Sequence, residues 1–350
     1  MSDGPPSLYW IHGLLLESEI PLMAQTVSAP AEDRHQDHQS SMAKYPDYRL
    51  VASGPRDCPY LAPPGRILAE LRDDGFGYWV AEDPRDPRLW TLRYAGICEV
   101  ALDRGRREIA VHPSPEAEPE LIPVFLEGGV LAHVLAAEGL LALHASAVQV
   151  GDRALAIAGP SGAGKSTLAA LLCATGARLV ADDALRVDAT ASGAVCFPGS
   201  RRLRLRSSAA GLGDMIEGAA LGATADGRTA VIPARSADSP MELHAVLIPD
   251  PTRGTNKLRM RRLGAMEALQ ELLRHPRLTM WRSSDPIARL FALTAEIATK
   301  LPVYRASVPW GPPFPAGLAE RLMADIGLDI EQERRPPSPE SALQAEGSAE

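Results

Sequence analysis

The sequence predicts an α/β protein in which a P-loop catalytic unit follows a small β-rich unit. Three observations carry this prediction. Gly159-Pro160-Ser161-Gly162-Ala163-Gly164-Lys165-Ser166 lies between an apolar strand pattern, Ala154–Ala158, and a helical one, Lys165–Thr175. A second apolar run, Ala177–Ala181, follows within one helix length and ends in Asp182-Asp183. Earlier, from Tyr48 to about Pro115, short alternating runs such as Gly75–Ala81 and Glu108–His112 are separated by Pro-, Asp- and Arg-rich turns, the mark of a small β unit.

Each segment can be taken in order. Residues 8–22 are apolar and read as ordered, whereas 24–46 are polar and aperiodic and read as a flexible insert; His35 and His38 within it are surface histidines on this reading. Residues 119–138 have a helical apolar pattern that Gly128-Gly129 should break. The catalytic unit begins near 136. Leu140–Val150 reads as one strand, Gly151–Arg153 as a turn, and the helix after the P-loop should stop at Gly176. Ala184–Asp188 continues as a strand. Further on come a strand at Glu242–Pro249, helices at Gly264–Leu273 and Pro286–Lys300, a strand at Val303–Val308 and a helix at Gly317–Ile326. The expected division is 1–135 β-rich, 136–330 catalytic and 331–350 a disordered tail.

Composition narrows the function classes. The chain has 350 residues, a length suited to two domains, and 45% apolar residues, enough for packed cores. With 36 basic and 44 acidic residues its formal charge is −8, which argues against a nucleic-acid partner. A local exception is Arg201-Arg202-Leu203-Arg204-Leu205-Arg206, readable either as a strand with a solvated basic face or as a docking surface for phosphate or an acidic peptide. Cys58, Cys98, Cys173 and Cys196 lack metal-ligand spacing. No run approaches 18 uninterrupted apolar residues, and Tyr9–Leu16 is short, contains His12 and has no basic flank, so neither a membrane span nor a signal peptide is expected. The expectation is a cytoplasmic protein.

The motif G-x-x-x-x-G-K-[ST] has a direct physical reading. Glycines let the backbone approach phosphate oxygens closely, and the N–H groups of the loop and the helix N-terminus face the anion. Lys165 would neutralise the terminal phosphates and the Ser166 hydroxyl would ligate Mg²⁺, with Thr167 one residue out of register. The whole of Gly159–Thr167 is therefore the candidate nucleotide site, with ATP and Mg²⁺ as cofactors. Asp182 and Asp183 stand seventeen and eighteen residues after Lys165. Adjacent carboxylates at a strand end point in different directions, so one can hold the metal, directly or through water, while the other takes a proton from an attacking hydroxyl. His144, in Leu141-Ala142-Leu143-His144-Ala145-Ser146-Ala147, reads either as a satisfied core histidine or as a site residue.

Together, Leu143–Val148, Gly159–Thr167 and Gly176–Asp183 resemble the catalytic domain of HPr kinase/phosphorylase, including the His-to-Lys and Lys-to-Asp-Asp spacings. The resemblance is to divergent HPr-kinase-like proteins of bacterial gene clusters, some of which accompany lasso-peptide biosynthesis. It implies an HPr-kinase/PEP-carboxykinase-like fold for the catalytic unit and an ATP-dependent serine kinase acting on a small protein or precursor peptide. It further implies Lys165 on the phosphates, Ser166 and Asp182 at the metal, Asp183 as base, His144 near the transferred group, and a homo-oligomeric habit. Departures are visible. No Glu occurs between Asp183 and Glu217, where the authentic enzymes carry a metal-binding Glu, and the family's later catalytic Arg has only Arg228 and Arg235 as candidates. The missing Glu keeps open a non-catalytic nucleotide-binding regulator or adaptor. A plain ATPase ranks behind both, and ATP against pyrophosphate as donor stays open.

Overall fold

The structure is a computed structural model that describes residues 5–27, 45–73, 76–224, 227–278, 281–282 and 284–328. His35, His38, most of the 24–46 insert and the 331–350 tail lie outside the described residues.

The first sheet contains β1 (Ser7–Ile11), β2 (Leu14–Ser18), β3 (Gln25–Val27), β4 (Tyr48–Ala52), β5 (Arg66–Asp73), β6 (Phe76–Asp83), β7 (Asp86–Tyr94), β8 (Cys98–Asp103) and β9 (Glu108–Pro113), in the order β3-β1-β2-β4-β9-β8-β7-β6-β5. The start of the expected flexible insert, Gln25–Val27, is thus a strand paired with β1. His12 and Gly13, at φ 52° and 69°, form the two-residue connection between paired Ile11 and Leu14, the backbone a tight hairpin demands. Alternation sends Trp90, Leu92 and Tyr94 of β7 inward. There they meet Leu126, Val130, Leu131 and Val134 from a helical segment laid across the sheet.

That segment is not broken at Gly128-Gly129. It runs α1 (Leu121–Phe125), a π-helical turn (Leu126–Val130) and α2 (Leu131–Ala137) without interruption. Each glycine costs the helix about 1 kcal/mol, but burial of the neighbouring leucines and valines outweighs that. The glycines are there for space. A Cβ at Gly128 would stand 2.6 Å from Asp183 Oδ2, and one at Gly129 would stand 2.5 Å from the Tyr94 hydroxyl.

The second sheet is built from β10 (Leu141–Leu143), β11 (Ala145–Val150), β12 (Arg153–Ala158), β13 (Arg178–Ala181), β14 (Leu185–Ala189), β15 (Ala194–Cys196) and, later in the chain, β19 (Met241–Thr252), β20 (Arg259–Arg262) and β21 (Val303–Pro309). Between β15 and β19 a smaller sheet pairs β16 (Leu203–Leu205), β18 (Thr229–Ile232) and β17 (Ala220–Ala223), in that order. A 3₁₀ segment at Ser207–Met215 precedes β17. The helices are α3 (Lys165–Ala174), α4 (Ala265–Arg274), α5 (Ser284–Lys300) and α6 (Leu318–Asp325). Strands β12, β19 and β21 run parallel, so their carboxyl ends share one edge.

The expected single strand Leu140–Val150 divides at His144, which belongs to neither β10 nor β11. Its antiparallel neighbour divides at Asp182–Ala184. Leu143 pairs with Leu185 on one side and Ala147 with Ala181 on the other, so the ladder keeps one register across the gap. Across this gap 144–146 and 182–184 face each other without pairing, although Ala145 and Ser146 stay paired with Ala158 and Ile157 of β12. Asp183 takes the left-handed conformation there, at φ 72°, so the chain does not run straight from Asp183 into the next strand. Of the two readings of Arg201–Arg206, the strand covers only Leu203–Leu205, whose two leucines are buried, while Arg204 and Arg206 line a cavity.

Candidate functional site

The P-loop connects the end of β12 to the start of α3. Gly159, Gly162 and Gly164 have φ of 147°, 84° and 88°, conformations open to glycine, and nothing lies within 4 Å of a Cβ added at Gly164. This is a cradle of backbone that phosphate oxygens can enter. Lys165 Nζ folds back to donate to the carbonyl oxygens of Gly159 (2.9 Å) and Pro160 (3.1 Å). Burial lowers its pKa, against the pull of Asp182 and Asp183.

Asp182 and Asp183 reach different partners, the left-handed backbone at Asp183 turning its side chain away from that of Asp182. Asp182 is buried. Its Oδ1 accepts from Ser146 Oγ at 2.5 Å and Ser166 Oγ at 2.8 Å, and its Oδ2 accepts from the Arg204 N–H at 3.2 Å. Ser146 is the residue that faces Asp182 when the strand register is carried across the gap. Burial raises the Asp182 pKa, with Asp183 adding to it and the hydroxyl donors opposing. Asp183 instead reaches Arg277 Nη2 at 2.7 Å and His144 Nε2 at 3.5 Å. Burial pushes its carboxyl up, but Arg277, His144, Arg204 and Lys165 outweigh that and hold it below the ordinary carboxylate range. His144 is lowered to about 4, first by burial and then by Lys165, and is neutral at pH 7; its contact with Asp183 is a polar contact rather than an ion pair.

One cavity of about 200 Å³ gathers these groups. Ser161–Thr167, His144, Asp182 and Asp183 form one wall, with Arg204, Arg206 and Arg228 beside them. All the predicted site residues therefore come together except Gly159 and Pro160, which act on Lys165 through their carbonyls. Of the two arginine candidates, Arg228 lines the cavity and Arg235 is an exposed residue outside it.

Several residues of the site were not marked by the sequence. Ser146 stood in the quoted run without a role, although its position two residues after His144 put it on the same strand face. Arg277 had no local signal. It is brought in by an isolated bridge between Leu143 and Pro276, the residues next to His144 and Arg277. Gly128 looked like a helix breaker. The far wall, Pro251, Val308, Pro309, Trp310, Gly311, Pro312 and Phe314, lies beyond the stretch that carried the motifs.

The chemistry of these donors fits a nucleotide with Mg²⁺. Mg²⁺ is commonly held by one or two carboxylates together with substrate phosphates, and here a buried carboxylate already grips the P-loop serine. Among the described residues no group of three or more His, Cys, Asp or Glu side chains forms a ready-made metal cage. Arg277 Nε is buried without a hydrogen-bond partner among the described residues.

No protein-family model matches the chain, and no curated protein does. Among the solved structures it is similar to the Hpr(Ser) kinase/phosphatase from Coxiella burnetii, at 14% identity over 59% of this chain and 94% of that one, with a TM-score of 0.28. A similarity of that size establishes neither the fold nor the activity. The chain is a mixed α/β protein of several sheets, and none of its described helices is long and apolar enough to cross a membrane.

Proposed function

We propose that the chain is a Mg²⁺- and ATP-dependent kinase that phosphorylates a serine hydroxyl on a small protein or precursor peptide. The observation that carries the reading is the opened strand ladder, which sets Asp182 against Ser166 of the P-loop and Asp183 against His144, all four on one cavity, with Arg277 paired to Asp183 from outside its lining. A nucleotide-binding loop alone speaks only for binding. A second, differently held carboxylate beside it speaks for transfer. The serine and peptide part of the reading rests on the sequence resemblance.

The residues divide the work as follows. The loop N–H groups and Lys165 receive the phosphates. Ser166 and Asp182 are the groups that would hold Mg²⁺, which when bound neutralises charge on the phosphate oxygens. Asp183 accepts the proton of the attacking hydroxyl. While Arg277 is paired with it, its basicity is low, and weakening of that pair would raise its proton affinity. Neutral His144 orients Asp183 and contributes no charge of its own. The reading takes the protein as cytoplasmic, without nucleic-acid or membrane partners, and leaves a homo-oligomer as an expectation.

A second reading, a non-catalytic nucleotide-binding regulator, is favoured by the absence of any Glu between Asp183 and Glu217. Transfer of ³²P from γ-labelled ATP to co-expressed small proteins, followed by mass spectrometry of the product, separates the two. The kinase reading expects label that is lost in Lys165→Ala and Asp183→Asn; ATP binding without transfer to any candidate would favour the regulator.

A further inference from the structure

The cavity has two chemically unlike ends. The P-loop end is charged and rich in backbone N–H groups. The opposite wall is Pro251, Val308, Pro309, Trp310, Pro312 and Phe314, in which the Trp310 indole N–H is the sole side-chain hydrogen-bonding group. This wall belongs to the same functional edge of the sheet. β12 delivers the P-loop at its carboxyl end, and β21 delivers Trp310 at its own, two strands away through β19. Two interstrand steps put the two ends about 10 Å apart, the separation that a ribose and its first phosphate bridge. Ligands of open α/β sheets bind outside these carboxyl ends.

Trp310 is built as a platform. It is 52% exposed, which is uncommon for an indole without a ligand. Its backbone N–H donates to the Thr252 carbonyl at 2.9 Å, and the Arg253 guanidinium covers part of the ring, 4.2 Å from its centroid. The next residue is pinned as well: a Cβ on Gly311 would fall 2.3 Å from the Phe314 ring. A held, half-open indole in an apolar wall offers a base a stacking face and almost nothing that reads its edges.

We propose that Trp310 is the stacking platform for the base of the nucleoside triphosphate donor, and that the site takes adenine and guanine nucleotides with little choice between them. This rests on the kinase reading only through the P-loop as the phosphate site. Titration calorimetry with Mg·ATP, Mg·GTP and Mg·tripolyphosphate, on the wild type, Trp310→Ala and Trp310→Phe, tests it, with circular dichroism confirming the fold of each variant. Loss of one base stack is expected to weaken ATP and GTP binding alike by about 5- to 150-fold in Trp310→Ala. Trp310→Phe should recover most of that, and tripolyphosphate affinity should be the same in all three proteins. Wild-type affinities for ATP and GTP should agree within about fivefold, since a base held by its face alone is accepted with little regard to its edges. Unchanged ATP affinity in Trp310→Ala, an equal loss for tripolyphosphate, or strong preference for one base would overturn the platform while leaving the P-loop reading intact. Failure of the wild type to bind any of the three ligands would overturn both.

Discussion

Asp183, the base of the proposed reaction, is paired with a cation that keeps its proton affinity low. Its carboxylate meets Arg277 at 2.7 Å and neutral His144 at 3.5 Å. Asp183→Asn keeps the shape and removes the proton acceptor. Phosphoryl transfer is expected to fall about 10²- to 10⁴-fold, the usual worth of a positioned base, while ATP affinity changes by less than about threefold because the phosphates are bound elsewhere. Single-turnover kinetics beside equilibrium binding would check this; an undiminished transfer rate would remove Asp183 from the role. Lys165→Ala should behave differently and lose both binding and transfer, since its ammonium group is the one on the P-loop itself. At this scale the sequence was informative because a P-loop is a local device, with every part within eight residues. Arg277 was not legible, since only the pairing of Pro276 with Leu143 brings it to the site.

The π-helical turn links the first sheet to the site. A Cβ at Gly128 would stand 2.6 Å from Asp183 Oδ2 and 2.9 Å from Arg277 Nη2, the far ends of two side chains that can give way. Gly128→Ala is therefore expected to leave the melting temperature within a few degrees while displacing that pair, lowering kcat at least about tenfold by the loss of alignment. A variant that melts normally with unchanged kcat would show that the glycine serves packing alone. The preceding residue anchors the same turn. Buried Glu127 accepts from the Met23 N–H and Ser200 Oγ, both at 2.5 Å, and lies 3.5 Å from Arg202. Glu127→Ala would strand a buried cation and two donors, at a cost of about 3–5 kcal/mol, measurable as a lower urea midpoint. Sequence periodicity found this helix but misjudged its glycines. Propensity counts the backbone cost of Gly and has no access to the partner across the interface that a larger residue would displace. The strand Leu140–Val150 was misjudged for a related reason: its alternation continues through His144 in the sequence, and only the opposing Asp182-Asp183 opens the ladder.

Across the whole molecule, two further buried histidines join His144 in setting an acid limit on stability. His12 and His133 are buried, and burial lowers both to about 4 from 6.5. The unfolded chain takes up protons below pH 6.5 that the folded chain refuses, so stability is lost as pH falls from about 6.5 toward 4. A shift of that size is worth roughly 3 kcal/mol per histidine at most. Glu127 and Asp182, whose carboxyls are raised by burial, act in the opposite sense over the acid range. The melting temperature is expected to drop between pH 7 and pH 5, and His133→Gln to flatten that slope; an equal slope in the variant would assign the loss to other groups. The general layout, strands first and a mixed unit after, was readable from turn spacing and from the change in pattern near residue 140. The small sheet of β16, β17 and β18 was not, because its strands are three or four residues long and carry too little pattern to be seen.

The opened ladder also fixes which intervals of the chain tolerate a change of length. Between Leu143 and Ala147, and between Ala181 and Leu185, three residues stand opposite three, bounded by the pairs Leu143–Leu185 and Ala147–Ala181, with a bulge just beyond Ala147. Deleting or inserting one residue in either window turns every later side chain of that strand to the other face, and Ser146 then no longer meets Asp182. No such lock acts on the turn at Thr175-Gly176, where α3 ends. A change in the count from Lys165 to Asp182 at that turn would leave the facing of Ser146 and Asp182 intact, whereas a change inside either window would not. A pattern built to find such kin gains by pairing His144-x-Ser146 with Asp182-Asp183 in space and leaving the helix between them of any length.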